Sequence, residues 1–353
     1  MRSVNAYSTP NSNRGLSLVE FMVAMLLGTV LIGGAVSIYL ASQRSYVEAE
    51  RSMVMGDNGR FASMLLTESL RHAGFVAGIR GTDVDDDTAL DAVTGTDCAG
   101  AAAAYDLRTT IFAATVDASG NAITCITDGV PGTDVLVLKS LLPFPVYDVD
   151  PNDPSATPDG QFSFPDPSGL QSDTTYVVAN SQRGLLIDGA EPVAAQPNVL
   201  DGQPWARALA WPYQYQVFYV GDPNQPGRSA PTLSRKVLSF DTSTSSMAIQ
   251  TEDLVEGIEH MRLRFGMDTN GDGEIDRYGN ITDVTAQADW ASITSIEAFL
   301  LARSLDEDFT YTDEKTYQLG DLTVDPNEPQ FPRRLVRAGI SLRNPQIFLS
   351  GGY

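Results

Sequence analysis

The stretch Gly15-Leu16-Ser17-Leu18-Val19-Glu20 opens an apolar run from Phe21 to Ala41, FMVAMLLGTVLIGGAVSIYLA, and its reading decides the fold. A helix over residues 16–41 rises about 1.5 Å per residue, enough to cross a hydrocarbon core of roughly 30 Å. The run therefore reads as membrane-spanning. One carboxylate, Glu20, lies near its start, and no further charge follows until Arg44. An ionised carboxylate in a bilayer costs on the order of 2.5–3.5 kcal/mol on insertion scales, so Glu20 calls for a partner or a task.

The polar leader before it carries Arg2 and Arg14 and no acid. The positive-inside bias keeps that end in the cytoplasm and sends everything after Ala41 across the membrane. A cleaved secretory signal has a charge-free apolar core of about 7–15 residues and then a small-residue site, which Ala35-Val36-Ser37 imitates. Here the run is longer and Glu20 interrupts it. A plain anchor accounts for the length and leaves the acid unexplained.

A glycine followed by Leu-Ser-Leu-Val-Glu and a long apolar helix resembles the class III signal of type IV pilins and type II secretion pseudopilins. The resemblance implies cleavage by a prepilin peptidase between Gly15 and Leu16, N-methylation of Leu16, and Glu20 as the fifth mature residue. The family more often begins with Phe at that first position, so Leu16 is a departure. In a stacked filament the amine of one Leu16 would meet a neighbour's Glu20 in a low-dielectric core, where a charge pair gains more than in water.

Residues 42–73 read as the second, exported half of the same helix. Val47, Val54, Phe61 and Leu65 recur at helical spacing, and Met64, Leu66 and Leu70 widen the stripe. Arg71 and His72 suit a last turn, and Gly74 the position just past it. Gly56-Asp57-Asn58-Gly59 is a weak point where local propensity favours a turn. Gly28, Gly33 and Gly34 inside the apolar half suit close helix contact. Asn58-Gly59-Arg60-Phe61-Ala62 and Leu70-Arg71-His72-Ala73-Gly74-Phe75 resemble the segment after the anchor in PilW-type minor pilins.

After Phe75 the chain changes to short extended runs divided by Gly, Pro, Asn and Asp. Strands are expected at 109–116, 134–141, 175–180, 213–220, 235–240, 247–250, 259–267, 295–303 and 334–343. The clearest is 259–267, in which Met261, Leu263, Phe265 and Met267 alternate with His260, Arg262 and Arg264, placing His260 on a polar face. One long helix followed by a series of strands predicts an α+β protein with a mainly antiparallel sheet head over 74–353. The division is then leader 1–15, transmembrane half 16–41, exported helix half 42–73 and head. Leu254-Val255-Glu256-Gly257-Ile258, the run Ala298 to Ser304, and Arg333 to Asn344 also resemble PilW segments, and similar strands occur in the J-type pseudopilin.

The chain has 353 residues, 42% of them hydrophobic, and a formal net charge of −22. So acidic a surface argues against a nucleic-acid partner. Cys98 and Cys125 are the only cysteines. In an exported chain an even pair reads as a disulfide, worth roughly 3–4 kcal/mol in the chain-entropy model. The stretch Asp268-Thr269-Asn270-Gly271-Asp272-Gly273-Glu274-Ile275-Asp276 has the alternate oxygens and sharp glycine of a calcium loop. Asp268, Asn270, Asp272 and Asp276 would give side-chain oxygens to Ca2+ and Glu274 its carbonyl. Gly279 stands where the closing bidentate Glu belongs, and the stretch reads equally as an Asp/Gly-rich turn with no ion. No phosphate-cradling loop or nucleophile elbow is present in the sequence, His72 near a helix end and His260 on a polar face read as structural or solvated, and no catalytic residue is expected.

The resemblance implies a PilW-like minor pilin, a structural subunit that primes pilus polymerisation and sits at or near the tip, serving twitching motility and adhesion. Its implied partners are the prepilin peptidase, other minor pilins, the major pilin, the inner-membrane assembly platform and a large tip adhesin. The head would be periplasmic on a single-pass inner-membrane anchor before it reaches the cell surface. The rivals are a J-type pseudopilin and, from another class, a membrane-tethered periplasmic enzyme or calcium-binding module.

Overall fold

A computed structural model describes residue 15 and residues 17–287 and 290–344. It divides into two compact units, Met1–Met53 and Val54–Tyr353. Helix α1, Leu18–His72, contributes to both. In the first unit its apolar residues are exposed on every side, from Leu18 at 75% to Ile38 at 73%. A helix apolar all round needs lipid or other helices as its surroundings. It is the one described helix long and apolar enough to cross a membrane.

The second unit adds β1 (Val84–Asp86), β2 (Ile111–Thr115), β3 (Asp134–Leu141), β4 (Thr175–Ala179), β5 (Gly184–Asp188), β6 (Leu209–Gly221) and β7 (Thr232–Asp241). Then follow β8 (Ser246–Glu256), β9 (Ile258–Met267), β10 (Arg277–Gly279), the short α2 (Ile281–Gln287), β11 (Ile293–Arg303), β12 (Tyr317–Leu319), β13 (Leu322–Val324) and β14 (Arg333–Ser341). An eight-stranded sheet runs β1-β5-β4-β6-β3-β2, with β7 on β6 and β8 on β7. A four-stranded sheet runs β10-β9-β11-β14, and β12 and β13 form a hairpin. Every pairing between these strands is antiparallel except β1 with β5. The fold is α+β, a long N-terminal helix followed by a mainly antiparallel head, as the order of helix and strands predicted.

All nine expected strands are present, most of them longer than the alternation alone marks. The helix runs through Gly56 to Gly59, and it ends where Arg71, His72 and Gly74 place the end, with Gly74 at φ 73°. The buried face differs from the expected stripe. Met55, Gly56, Gly59, Ala62, Leu66 and Leu70 face inward, whereas Val54, Phe61 and Met64 are 44%, 46% and 59% exposed. Small residues decide this phase: a Cβ on Gly59 would lie 2.7 Å from Cγ2 of Val336 on β14. The helix is drawn against the sheet along its glycines and alanine, and the core there joins Leu66 and Leu70 to Met261, Leu263, Ile296, Leu300 and Ile340.

His260 corrects a second expectation. It is buried, not on a solvated face, because its register partner Leu301 lies in a cluster under the β12–β13 hairpin and this face of β9 is covered too. Its Nδ1 meets no hydrogen-bond partner among the described residues. Burial, assisted by the charge of Arg262, lowers its pKa to about 4.

Candidate functional site

The N-terminal site begins at Gly15, which is exposed; the leader 1–14 and Leu16 lie outside the described residues. The Phe21 amide donates to the Ser17 carbonyl at 3.0 Å, closing the first turn of α1. Glu20 stands in that turn, exposed, and meets no cation among the described residues. The partial positive charge of a helix start favours an acid there, by about 0.3–1 kcal/mol. That is a small return against the cost of carrying a carboxylate into lipid.

In the head, the calcium candidates come together as a loop between β9 and β10 that is closed by its own hydrogen bonds. Asp268, 2% exposed, accepts the amides of Asn270 at 3.3 Å and Gly271 at 2.7 Å on one oxygen and of Gly273 at 2.7 Å on the other. Gly273 takes φ 86°, a left-handed turn that glycine adopts without strain. Asp276 accepts the Thr269 amide and hydroxyl, each at 2.7 Å, and the Asn270 side-chain amide reaches Asp272 at 3.1 Å and Asp276 at 3.3 Å. The Glu274 amide donates to Asp272 at 2.8 Å. Among the described residues no three Asp, Glu, His or Cys side chains gather as a metal site. The loop's own N–H and O–H groups thus occupy most of the acceptor sites of Asp268 and Asp276 and about half of those of Asp272 and Asn270.

Cys98 and Cys125 are disulfide-bonded, with Cα atoms 4.6 Å apart. The loop they close is held from beneath by residues that the sequence reading passed over. Lys139, fully buried on β3, donates to the carbonyls of Ala101 at 2.9 Å and Asp106, and Tyr215 donates to Ala102 at 2.8 Å. Tyr213 donates to the Ala104 carbonyl beside it. Burial lowers the Lys139 amine to about 8. A lysine directly after Val135-Leu136-Val137-Leu138 was the visible signal, since a cation in a wholly buried strand must find acceptors.

Two further networks fix strands to one another. Asp134 on β3, wholly buried, accepts Arg262 Nη1 at 3.0 Å, the Leu263 amide at 2.8 Å and the Thr115 hydroxyl at 2.9 Å, which ties the eight-stranded sheet to β9. Arg262 also holds Asp321 at 2.9 Å, and that contact lowers the Asp321 carboxyl to about 2. Arg333, whose side chain is fully buried, pairs with Glu259 and lies 3.7 Å from Asp313. These ion pairs join one strand or hairpin to another.

Residues 10–36 match the family model of the prokaryotic N-terminal methylation motif. That motif, the long apolar helix behind it and the antiparallel head together fit a pilin-like α+β arrangement. Residues 217–344 match the family of type IV pilus-assembly protein W, and the two matches together are those of a PilW-type minor pilin. No curated protein and no solved structure matches the chain. The matched families are pilin and pilus-assembly families, and neither is an enzyme family. The second span covers the four-stranded sheet, β7, β8 and the end of β6; the quoted segments at 254–258, 298–304 and 333–344 fall inside it, and those at 58–62 and 70–75 outside.

Proposed function

We propose that this chain is a minor pilin that primes type IV pilus polymerisation and stays at or near the tip. In this reading the prepilin peptidase cuts between Gly15 and Leu16, the Leu16 amine is methylated, and residues 16–41 hold the subunit in the inner membrane with residues 42–353 in the periplasm. On extraction the apolar helix enters the filament core, and Glu20 neutralises the terminal amine of a neighbouring subunit. Other minor pilins, the major pilin and the membrane assembly platform are the partners, and a large tip adhesin follows from the tip position.

The observation that carries the reading is the lone Glu20 in the first turn of a helix whose other side chains to Leu40 are uncharged. N-terminal sequencing of the mature protein tests it, with methylated Leu16 as the expected first residue; a start elsewhere removes the filament role. Glu20→Ala is expected to remain in the membrane and to be poorly incorporated into pili, and normal piliation would remove the charge mechanism. Calcium at 268–276 is a second, separate reading, supported by the oxygen spacing and the turn at Gly273 and opposed by the closed hydrogen bonding.

A further inference from the structure

A cavity of about 350 Å3 lies where the segment after α1 meets the start of β2 and the turn before β11. Gly74, Val76, Ile79, Ile111, Trp290 and Ala291 line it. Val76 and Ile79 belong to one hydrophobic core of the head, and Ile111 and Trp290 pack in the other, so the cavity sits on the seam between them. An apolar cavity of about 150 Å3 takes a benzene ring, and this one therefore has room for an aromatic and an aliphatic side chain together.

The end of β14 stands at the margin of this cavity. The Leu342 amide donates to the Thr294 carbonyl at 2.7 Å, and the Asn344 side-chain amide to the carbonyl of Ala73, the residue before the lining Gly74, at 3.1 Å. The sequence continues Pro345-Gln346-Ile347-Phe348-Leu349, and residues 344–353 carry no charged side chain in a chain of net charge −22. Three large apolar residues in a row are costly to leave in water and call for cover. Ile347 and Phe348 come three and four positions after Asn344, so each lies within about 14 Å of it in any backbone conformation. The run is outside the pilus-assembly family match, which stops at 344.

Arg80 and Arg108 stand at the rim of the cavity. Neither guanidinium is free, and Arg108 faces Asp106 at 3.1 Å, so the rim does not demand an anion. The stem of such an arginine can flank an apolar guest while its charge keeps its own partner.

We propose that Ile347 and Phe348 fill this cavity, so that the segment after β14 seals the seam beside the end of α1. The tether holds the guest at an effective concentration of about millimolar, and a modest gain in burial is then enough to keep it in place. The inference concerns how this chain covers its own head and does not rest on the pilin reading.

Full-length protein carrying Ala291→Cys and Phe348→Cys is purified in detergent, oxidised mildly and mapped by peptide mass without reductant. The expected result is a disulfide between positions 291 and 348 of one chain. A dimer through these positions, a bond to a different protein, or no link would each overturn the inference. A second measurement needs no link to form. The thiol of Ala291→Cys alone is labelled with a maleimide, and adding Ile347→Ser with Phe348→Ser is expected to speed that labelling about tenfold, a docking preference of about 1.4 kcal/mol. Phe348→Leu should leave labelling slow, and Ser350→Ala should not change it. Equal rates with and without the changes at 347 and 348 would overturn the inference even where the paired variant fails to fold.

Discussion

Gly59 of α1 and Val336 of β14 approach so closely that a Cβ on the glycine would stand 2.7 Å from the valine Cγ2. In an open helix, Gly→Ala is favourable by about 1 kcal/mol. At this contact the neighbour is a short, β-branched side chain with little room to turn, and overpacking of this kind costs about 1–3 kcal/mol. Gly59→Ala is therefore expected to lower the thermal midpoint of the full-length protein in detergent. Gly59→Ala combined with Val336→Ala is expected to lose less than the two single changes summed. Additive losses would mean that the helix does not meet the sheet at this point.

Asp268 supports three backbone amides of its loop, so its removal is felt with or without calcium. Asp268→Ala is expected to cost on the order of 1–3 kcal/mol, and the loss should be the same in chelator as in millimolar calcium. Thermal unfolding of both proteins in the two buffers checks this. A midpoint that rises with calcium in the wild type and stays fixed in the variant would establish the ion.

The parts legible in the sequence were those that repeat locally. The alternation Met261-Leu263-Phe265-Met267 marked β9, and Arg71, His72 and Gly74 marked the helix end, because each signal lies within a turn or a strand. The strand Gly184–Asp188 escaped, being five residues between turn-forming neighbours, as did the three-residue strands β1, β10, β12 and β13. The face of α1 was displaced because a count of large apolar residues overlooks glycine and alanine, which pack closest. At the N-terminus Gly15 and Glu20 were legible as a motif. Lys139 with its carbonyls, and Asp134 with Arg262, were not, since such partners come together only in the folded chain, the latter pair across 128 positions.

His260 makes stability depend on pH in a defined window. Its pKa falls from 6.5 to about 4 on burial, so between these values the unfolded chain binds a proton that the folded chain refuses. Its contribution is complete above pH 6.5 and is lost as pH falls toward 4, amounting to on the order of 3 kcal/mol. His260→Leu removes the titrating ring and its unpaired Nδ1 together. The stability difference between wild type and variant, followed by denaturant unfolding at several pH values, should shift in the variant's favour by about that amount from pH 7 to pH 4. A constant difference would place the imidazole in contact with solvent.

Asp134 and Arg262 join the two main sheets, and the pair is buried enough that its partners cannot be removed singly without consequence. The Asp134 side chain is 0% exposed and that of Arg262 13%. Burial raises the Asp134 carboxyl while Arg262 opposes it, so the arginine is what makes an anion tolerable there. Asp134→Ala leaves the guanidinium with Asp321 alone and strips an acceptor from the Leu263 amide and the Thr115 hydroxyl. A loss of about 3–5 kcal/mol is expected, as for other buried pairs broken on one side. Arg262→Ala should cost a similar amount, and the double change less than the sum, with a coupling of about 0.5–3 kcal/mol. Replacing both by apolar residues, Asp134→Leu with Arg262→Met, is expected to recover much of the stability, because no desolvated charge is then left alone. Equilibrium unfolding of the four proteins measures each term, and a double variant no more stable than the sum of the singles would show that the sheets are held together without this pair.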